Sequence, residues 1–223
     1  MHYPVFLDLR GKRCLVVGGG RIAERKIRAL LRAGARVLCV SETFDPQVRK
    51  LARNHKIQLA VKNLSQKASF SSYLQDTFLA IGATSSPSVN QKLYEECRKR
   101  NILVNSVDDP RHSSFIAPAV VNRGALSVAI STGGASPQFA KTLREKMENL
   151  FGPEHAAFLA FMAKERGKIM RWLKDPKMRK KFFQEIVNSG MVRLFKSGHD
   201  RQRVKSKYQS LLLKYGIRKG GFK

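Results

Sequence analysis

Hydrophobic positions in the first half of the chain follow two alternating periods. Arg13 to Val17 and Arg36 to Val40 are short runs rich in β-branched residues. Between them Gly18-Gly19-Gly20 leads into Arg21 to Ala33, where apolar residues recur at helical spacing until Gly34. Strand, tight glycine turn, helix and strand in that order make one βαβ unit, with connections short enough for a parallel pair. Gln58 to Val61, Phe78 to Gly82 and Ile102 to Val107 are further strand candidates, and Pro46 to Asn54 and Val89 to Lys99 have helical spacing between them. This alternation predicts an α/β fold with a doubly wound, Rossmann-type parallel sheet. The polar stretch Ser65 to Ser72 reads as a loop, and no internal repeat is found.

The pattern changes after Pro110. Phe115 to Val121 and Leu126 to Ile130 are strand-like and precede a helix starting near Pro137, with Ser136 suited to its N-cap. From Glu154 onward only helical periodicity and charge remain, with breaks expected at Gly190, Gly198 and Gly216 and a frayed end over Arg218 to Lys223. The predicted organisation is a Rossmann-type domain over residues 1–112, a small α+β region over 113–150 and a basic helical C-terminal domain over 151–223.

Composition narrows the function classes. No apolar run approaches the roughly 18 residues of a membrane-spanning helix. The start of the chain, with Asp8 in place of a basic flank, does not read as a secretory signal, so a cytoplasmic location is expected. Cys14, Cys39 and Cys97 lack metal or redox spacing, and the first two lie in apolar runs, which favours packing. The net charge of +27 draws in polyanions: nucleic acid, anionic lipid and a polycarboxylate substrate are all compatible with it. Residues 151–223 hold 19 of the 43 basic groups but only 5 of the 16 acidic ones, so the tail is the denser in charge.

Three loops carry candidate chemistry. Gly18, Gly20 and Ala23 match the G-x-G-x-x-[GA] dinucleotide fingerprint: the first glycine allows the turn, the second lets a pyrophosphate reach the backbone, and Ala23 keeps helix and strand close. Gly19, Arg21 and Ile22 complete this loop and helix start, whose amides and positive dipole hold phosphate. Ser41 and Glu42, at the end of the second strand, occupy the position of the acidic side chain that takes the ribose hydroxyls of NAD, and a phosphate could still be met by Arg21. Asn105 to Pro110 closes a strand with two carboxylates. Asp108 is the candidate for chemistry, Asp109 is expected to shape a turn, and His112, Ser113 and Ser114 follow. Ser131 to Pro137 is a second small-residue loop, readable either as a carboxylate-holding helix start or as an ordinary N-cap at Ser136.

Taken with Tyr3 to Leu9, Ala23-Glu24-Arg25-Lys26, Ala83-Thr84 and Ser114 to Ala119, these motifs resemble the precorrin-2 dehydrogenases of sirohaem synthesis, including the N-terminal module of sirohaem synthase. The resemblance covers residues 1 to about 150 closely and the tail loosely. It implies NAD-dependent oxidation of precorrin-2 to sirohydrochlorin, and in some members ferrous iron insertion at the same site. It implies a catalytic role for Asp108, which would also be the metal partner in a chelatase, and cofactor contacts at Ala83 and Thr84. Asn105, His112, Ser114, Ser131, Thr132, Gly133 and Ser136 would contact substrate, with Thr132 at a position held by serine in the family. A homodimer would form through the region from about Phe115 onward. Ser113, Asn122 and Ser106 depart from the family's usual cysteine, aspartate and valine. A basic cleft would concentrate a tetrapyrrole bearing acetate and propionate arms. The competing class, a dinucleotide-sensing nucleic-acid-binding regulator, uses the charge equally well. It lacks a helix-turn-helix signature ahead of the Rossmann unit, and it gives Ser131 to Pro137 no purpose. The expected partners are therefore the anionic substrate and a second copy of the chain, with neither membrane nor nucleic acid.

Overall fold

The computed structural model describes residues 2–65, 69–196 and 201–218. Residues 66–68 of the expected polar loop, Gly198, and 219–223 of the expected frayed end lie outside the described residues. The chain divides into two units, Met1–Ala117 and Pro118–Lys223.

The first unit runs β1 (Arg13–Val17), α1 (Arg21–Arg32), β2 (Arg36–Ser41), α2 (Pro46–Arg53), β3 (Ile57–Val61), α3 (Ser71–Leu74), β4 (Thr77–Gly82), α4 (Pro87–Lys99) and β5 (Leu103–Ser106). The strands form one parallel sheet in the order β3-β2-β1-β4-β5. Strand β1 is central, and Cys14 to Val17 are wholly buried, as expected of a parallel strand covered on both faces. On one face Ala23 and Ile27 of α1 pack with Val16, Cys39 and Ile81; on the other Val89, Leu93 and Cys97 of α4 pack with Leu15, Val40 and Val104. The helix-period and strand-period patterns of the sequence thus meet face to face.

Two local differences from the sequence reading have steric or polar causes. One helical turn, α3, begins inside the expected loop, because Phe70 is fully buried and its amide donates to the buried Glu96 carboxylate of α4 at 3.2 Å. The strand expected from Phe115 starts only at Ala119, since Pro118 has no amide to give a ladder. The residues before it close the sheet edge instead: the Ser114 amide donates to the Val104 carbonyl at 2.7 Å, and the Ser114 hydroxyl accepts from the Val104 amide at 2.8 Å.

In the second unit β6 (Ala119–Arg123) and β7 (Leu126–Ile130) form an antiparallel hairpin against which α5 (Pro137–Leu150) and α6 (Pro153–Trp172) pack. Helices α7 (Pro176–Asn188), α8 (Met191–Leu194) and α9 (Arg201–Lys214) follow, around a core of Phe158, Ile169, Phe182, Ile186, Met191, Tyr208 and Leu212. Gly190 and Gly216 adopt the left-handed conformation at the expected breaks. A further break, where Asp175 caps α7 ahead of Pro176, is not among those the glycines mark. Glu165 is buried, and its carboxylate accepts from Lys168 Nζ at 2.8 Å and from the Tyr208 hydroxyl at 3.1 Å.

All three cysteines are free and buried, and burial pushes the Cys14 thiol up to about 11 and those of Cys39 and Cys97 up to about 12. A thiol must ionise to react. The folded protein at pH 8 should therefore give no fast reaction with a disulfide reagent, and three thiols should appear on unfolding; a thiol titrating in the native state would show that the sheet core is open.

Candidate functional site

The sheet order reverses direction between β1 and β4, and in open parallel sheets ligands bind beyond the strand ends at this reversal. Three backbone segments meet there. Gly18, at φ +112°, accepts no substituent: a Cβ would lie 2.4 Å from the Ala83 carbonyl oxygen. A Cβ on Gly19 would lie 2.1 Å from the Thr43 carbonyl oxygen and 2.9 Å from Ser41 Oγ. A Cβ on Gly20 would meet nothing within 4 Å, so this residue faces open space. Gly18 and Gly19 are thus glycines for the fold, and Gly20 for what occupies that space.

The turn is fastened on both sides. The Gly18 amide donates to the Val40 carbonyl at 2.8 Å, the Ala83 amide to the Val17 carbonyl at 2.7 Å, and the Asp45 amide to the Gly19 carbonyl at 2.8 Å. Gly20 is the N-cap of α1 and makes no side-chain cap hydrogen bond, which leaves the first-turn amides to a phosphate. Ala23 is buried beneath them, while Arg21 and Ile22 are exposed at the helix start. A cavity of about 510 Å³ adjoins it, lined by Arg21, Glu24, Arg25, Asp45, Pro46 and Gln47. Ser41 is buried at the end of β2, and exposed Glu42 follows, its Oε1 accepting from the Leu64 amide at 2.6 Å. This set of residues fits a dinucleotide: the glycine walls leave room for a pyrophosphate, and the acidic side chain is fixed at the end of the second strand.

Beyond β5 the chain folds into a braced turn. Asp109 caps the 3₁₀ turn Pro110–His112: its Oδ1 accepts from the Arg111 amide at 3.1 Å, and its Oδ2 lies 2.6 Å from His112 Nδ1. The hydrogen bond to His112, more than any other influence, holds the Asp109 carboxyl below its ordinary range. The Ser113 hydroxyl accepts from the Ser106 amide at 2.9 Å and donates to the Asp109 carbonyl at 2.9 Å. Asn105 is also inside the brace, donating to the Phe115 carbonyl at 3.0 Å. Asp108 stands exposed, in the left-handed conformation at φ +62°. Asp109 therefore shapes the turn, and Asn105 and Ser114 are occupied within it. Lys26 of α1 is within electrostatic reach of Asp108: burial and then Arg25 push its ammonium below the ordinary lysine value, and the Asp108 charge pulls it back.

Ser131 to Pro137 lies in the other unit. Gly133 and Gly134 are both left-handed, and Thr132 Oγ1 accepts from the Ser136 amide at 3.2 Å and donates to its carbonyl at 3.1 Å. The Ser131 hydroxyl accepts from the Gly133 amide at 3.1 Å. Ser136 caps α5 by accepting from the Phe139 amide at 3.1 Å. The N-cap reading of this loop holds, whatever else the loop does. Sequence reasoning passed over Asn90, which fastens the loop after β4; a buried asparagine on the apolar face of a helix was the available signal.

Residues 5–119 match the family model described as "Putative NAD(P)-binding", and residues 123–150 match the central domain of sirohaem biosynthesis proteins. The chain is 36% identical over 213 residues to siroheme synthase of Enterobacter sp. (strain 638), covering 95% of this chain and 45% of the relative. It is 39% identical over 187 residues to siroheme synthase of Salmonella dublin, covering 83% of this chain and 39% of the relative. The chain thus spans less than half the length of these curated relatives. Among solved structures, SirC, precorrin-2 dehydrogenase, superposes with a TM-score of 0.72 at 27% identity, over 92% of this chain and 100% of that one.

The glycine geometry separates two substitutions. Gly20→Ala should fold with an unchanged melting temperature and bind NADH at least about tenfold more weakly, since its methyl group enters only the open space. Gly19→Ala should lose stability by several degrees, since its methyl meets backbone. Thermal melting and NADH fluorescence titration of both variants check this; a Gly20→Ala protein with normal NADH affinity would place the cofactor elsewhere.

Proposed function

This chain belongs to the family described as putative NAD(P)-binding, and from that premise and its similarity to sirohaem biosynthesis proteins we propose that it oxidises precorrin-2 to sirohydrochlorin with NAD. One observation carries the reading: an open, glycine-walled cofactor turn in the same sheet as an exposed carboxylate, Asp108, held out of a braced turn. The substrate loses two electrons and two protons. When bound, NAD supplies the acceptor for one of these protons with both electrons, as hydride. Asp108 takes the other proton. The chain's remaining contribution is to hold the reacting partners in place. The braces from Asp109, Ser113 and Ser114 fix where Asp108 stands, and His112, fixed by Asp109, is the proposed substrate contact in this turn. Glu42 favours NAD, because a carboxylate at the end of the second strand repels a 2′-phosphate and accepts from free ribose hydroxyls.

The carboxylate arms of precorrin-2 suit a chain of net charge +27. Ser131 to Ser136 are the proposed further contacts, through loop amides left over from the internal bonds. Among the described residues no group of three or more His, Cys, Asp or Glu could hold a metal ion, so ferrous iron enters only as an added substrate in the test. Among the described residues no helix is long and apolar enough to cross a membrane. We also propose a homodimer through the second unit, where Val120, Phe139 and Leu150 are exposed apolar residues. Light scattering after gel filtration should give twice the mass of 25.2 kDa; a monomer at micromolar concentration would remove the dimer from the reading.

The decisive experiment is anaerobic incubation with precorrin-2 and NAD, following NADH and sirohydrochlorin, then repeating with ferrous iron. Asp108→Ala and Asp108→Asn should each lower kcat by roughly 10² to 10⁴-fold and leave NADH affinity unchanged, because the amide cannot accept the proton at neutral pH. Asp109→Ala should act mainly through turn geometry and stability. Normal turnover by Asp108→Ala would end the assignment. Tight, salt-sensitive binding of duplex DNA without turnover would favour a nucleic-acid-binding regulator instead.

A further inference from the structure

The loop after β4 forms one wall of the glycine turn, and its fastening is unusual. Asn90 sits on the first turn of α4, on the helix face that carries Val89, Leu93 and Cys97 into the core, and it is 6% exposed. Asparagine is a poor choice for such a position unless its amide is satisfied, since an unpaired buried amide costs more than an apolar side chain there.

Every hydrogen bond that Asn90 makes through its side chain goes to one residue. Its Oδ1 accepts from the Thr84 hydroxyl at 2.9 Å and, more weakly, from the Thr84 amide at 3.4 Å; its Nδ2 donates to the Thr84 carbonyl at 3.1 Å. Thr84 Oγ1 in turn accepts from the Ser86 amide at 3.2 Å and shares its proton with the Ser86 carbonyl at 3.1 Å. The Ser86 hydroxyl caps α4 through the Val89 amide. Thr84 is thus clamped on both sides of its own residue, amide and carbonyl together. A Cβ on Gly82 would lie 2.9 Å from Asn90 Oδ1, so the strand end also rests directly on this amide.

The clamp leads to the cofactor turn by backbone alone. The position of a Cβ on Gly18 lies 2.4 Å from the Ala83 carbonyl oxygen and 3.1 Å from the Thr84 amide nitrogen, so Gly18 leans on the peptide whose amide donates to Asn90 Oδ1 at 3.4 Å, while the shorter Asn90 bonds hold the rest of Thr84. The Thr84 hydroxyl is used up within the clamp, which leaves the Ala83–Thr84 peptide, and not the side chain, to form the wall.

From this geometry we infer that Asn90 is a positioning residue for the dinucleotide: it fixes the Ala83–Thr84 peptide against the glycine turn, so that the cofactor wall is formed before the cofactor arrives. This rests on the cofactor reading above. A wall set in advance lowers the ordering cost of binding, and its loss is felt in affinity for the ligand it lines.

The test uses the full chain and compares Asn90→Ala, Asn90→Asp and Thr84→Ala with Glu96→Gln. Glu96 lies toward the other end of α4 and holds Phe70, and it serves as the purely structural comparator. Asn90→Ala should raise the KM for NAD and the Kd for NADH about tenfold, while the KM for precorrin-2 stays within about twofold. Asn90→Asp keeps the acceptors but turns the donor to the Thr84 carbonyl into a second negative oxygen, so it should bind NADH at least as poorly. Thr84→Ala opens the clamp from its more exposed side and should weaken NADH in the same direction, and the double variant should be no worse than Asn90→Ala, as for two ends of one clamp. Glu96→Gln should lower the melting temperature with the KM for NAD unchanged. The inference falls if Asn90→Ala binds NADH like the wild type, or if it raises both KM values together; should Asn90→Ala fail to fold, normal NADH affinity in Thr84→Ala overturns it. A wild-type protein that does not bind NADH removes the cofactor reading itself, a result that no Asn90 variant can imitate.

Discussion

The first unit depends on a steric constraint at the tip of its central strand. Three backbones converge there, the β1–α1 turn, the end of β2 and the end of β4, at separations that leave no room for a Cβ on Gly18 or Gly19. The approach is held by amide-to-carbonyl bonds from Gly18 to Val40, from Ala83 to Val17 and from Asp45 to Gly19. Because the sheet core on both faces fixes the strands, the turn cannot relax outward without opening β1, where Cys14 to Val17 are wholly buried. The amides at the start of α1 are aimed once, by the fold, and Gly20 leaves the space in front of them open.

A second rigid turn uses polar side chains where the first uses the absence of side chains. Between Ser106 and Ser114 the chain has no regular ladder, and its backbone groups are met by Asp109, Ser113 and Ser114. Aspartate tolerates the left-handed conformation better than most residues, so Asp108 stands exposed at modest cost while its neighbours are tied down. Ser106 is the exception in this region: its hydroxyl is buried without a hydrogen-bond partner, where the family resemblance expects valine. The structure gives no physical account of that substitution.

The second unit is built on different physics. Its helical core is aromatic, with Phe161 and Tyr208, Phe182 and Tyr215, and Phe158 and Phe195 in edge-to-face contact. Several of its described acidic groups are engaged within the unit: Glu165 with Lys168 and Tyr208, Glu185 with Lys214, and Asp175 as a helix cap. The basic surplus makes a long-range positive field that adds little to the fold.

The sequence alone determined the elements that have a period or a stop signal. β1, α1, β2, α2, β4 and α4 were legible because apolar spacing distinguishes helix from strand, and because glycine and proline mark their ends. The fingerprint residues were legible for the same reason: each meets a local backbone requirement. Tertiary structure decided what depends on contacts distant in the chain. Turn α3 exists because Glu96, 26 residues away, takes the Phe70 amide, and the segment expected as a strand from Phe115 instead closes the edge of β5 through Ser114. The fingerprint gave Gly18 the turn and Gly20 the open approach, but only neighbours from β2 and β4 show that Gly19, like Gly18, has no room for a Cβ. The polar Asn90 on the apolar face of α4 hinted at a task but not at which one, because a side chain that satisfies another loop's backbone is specified by where the loop lies, and position in space is what a period along the chain does not encode.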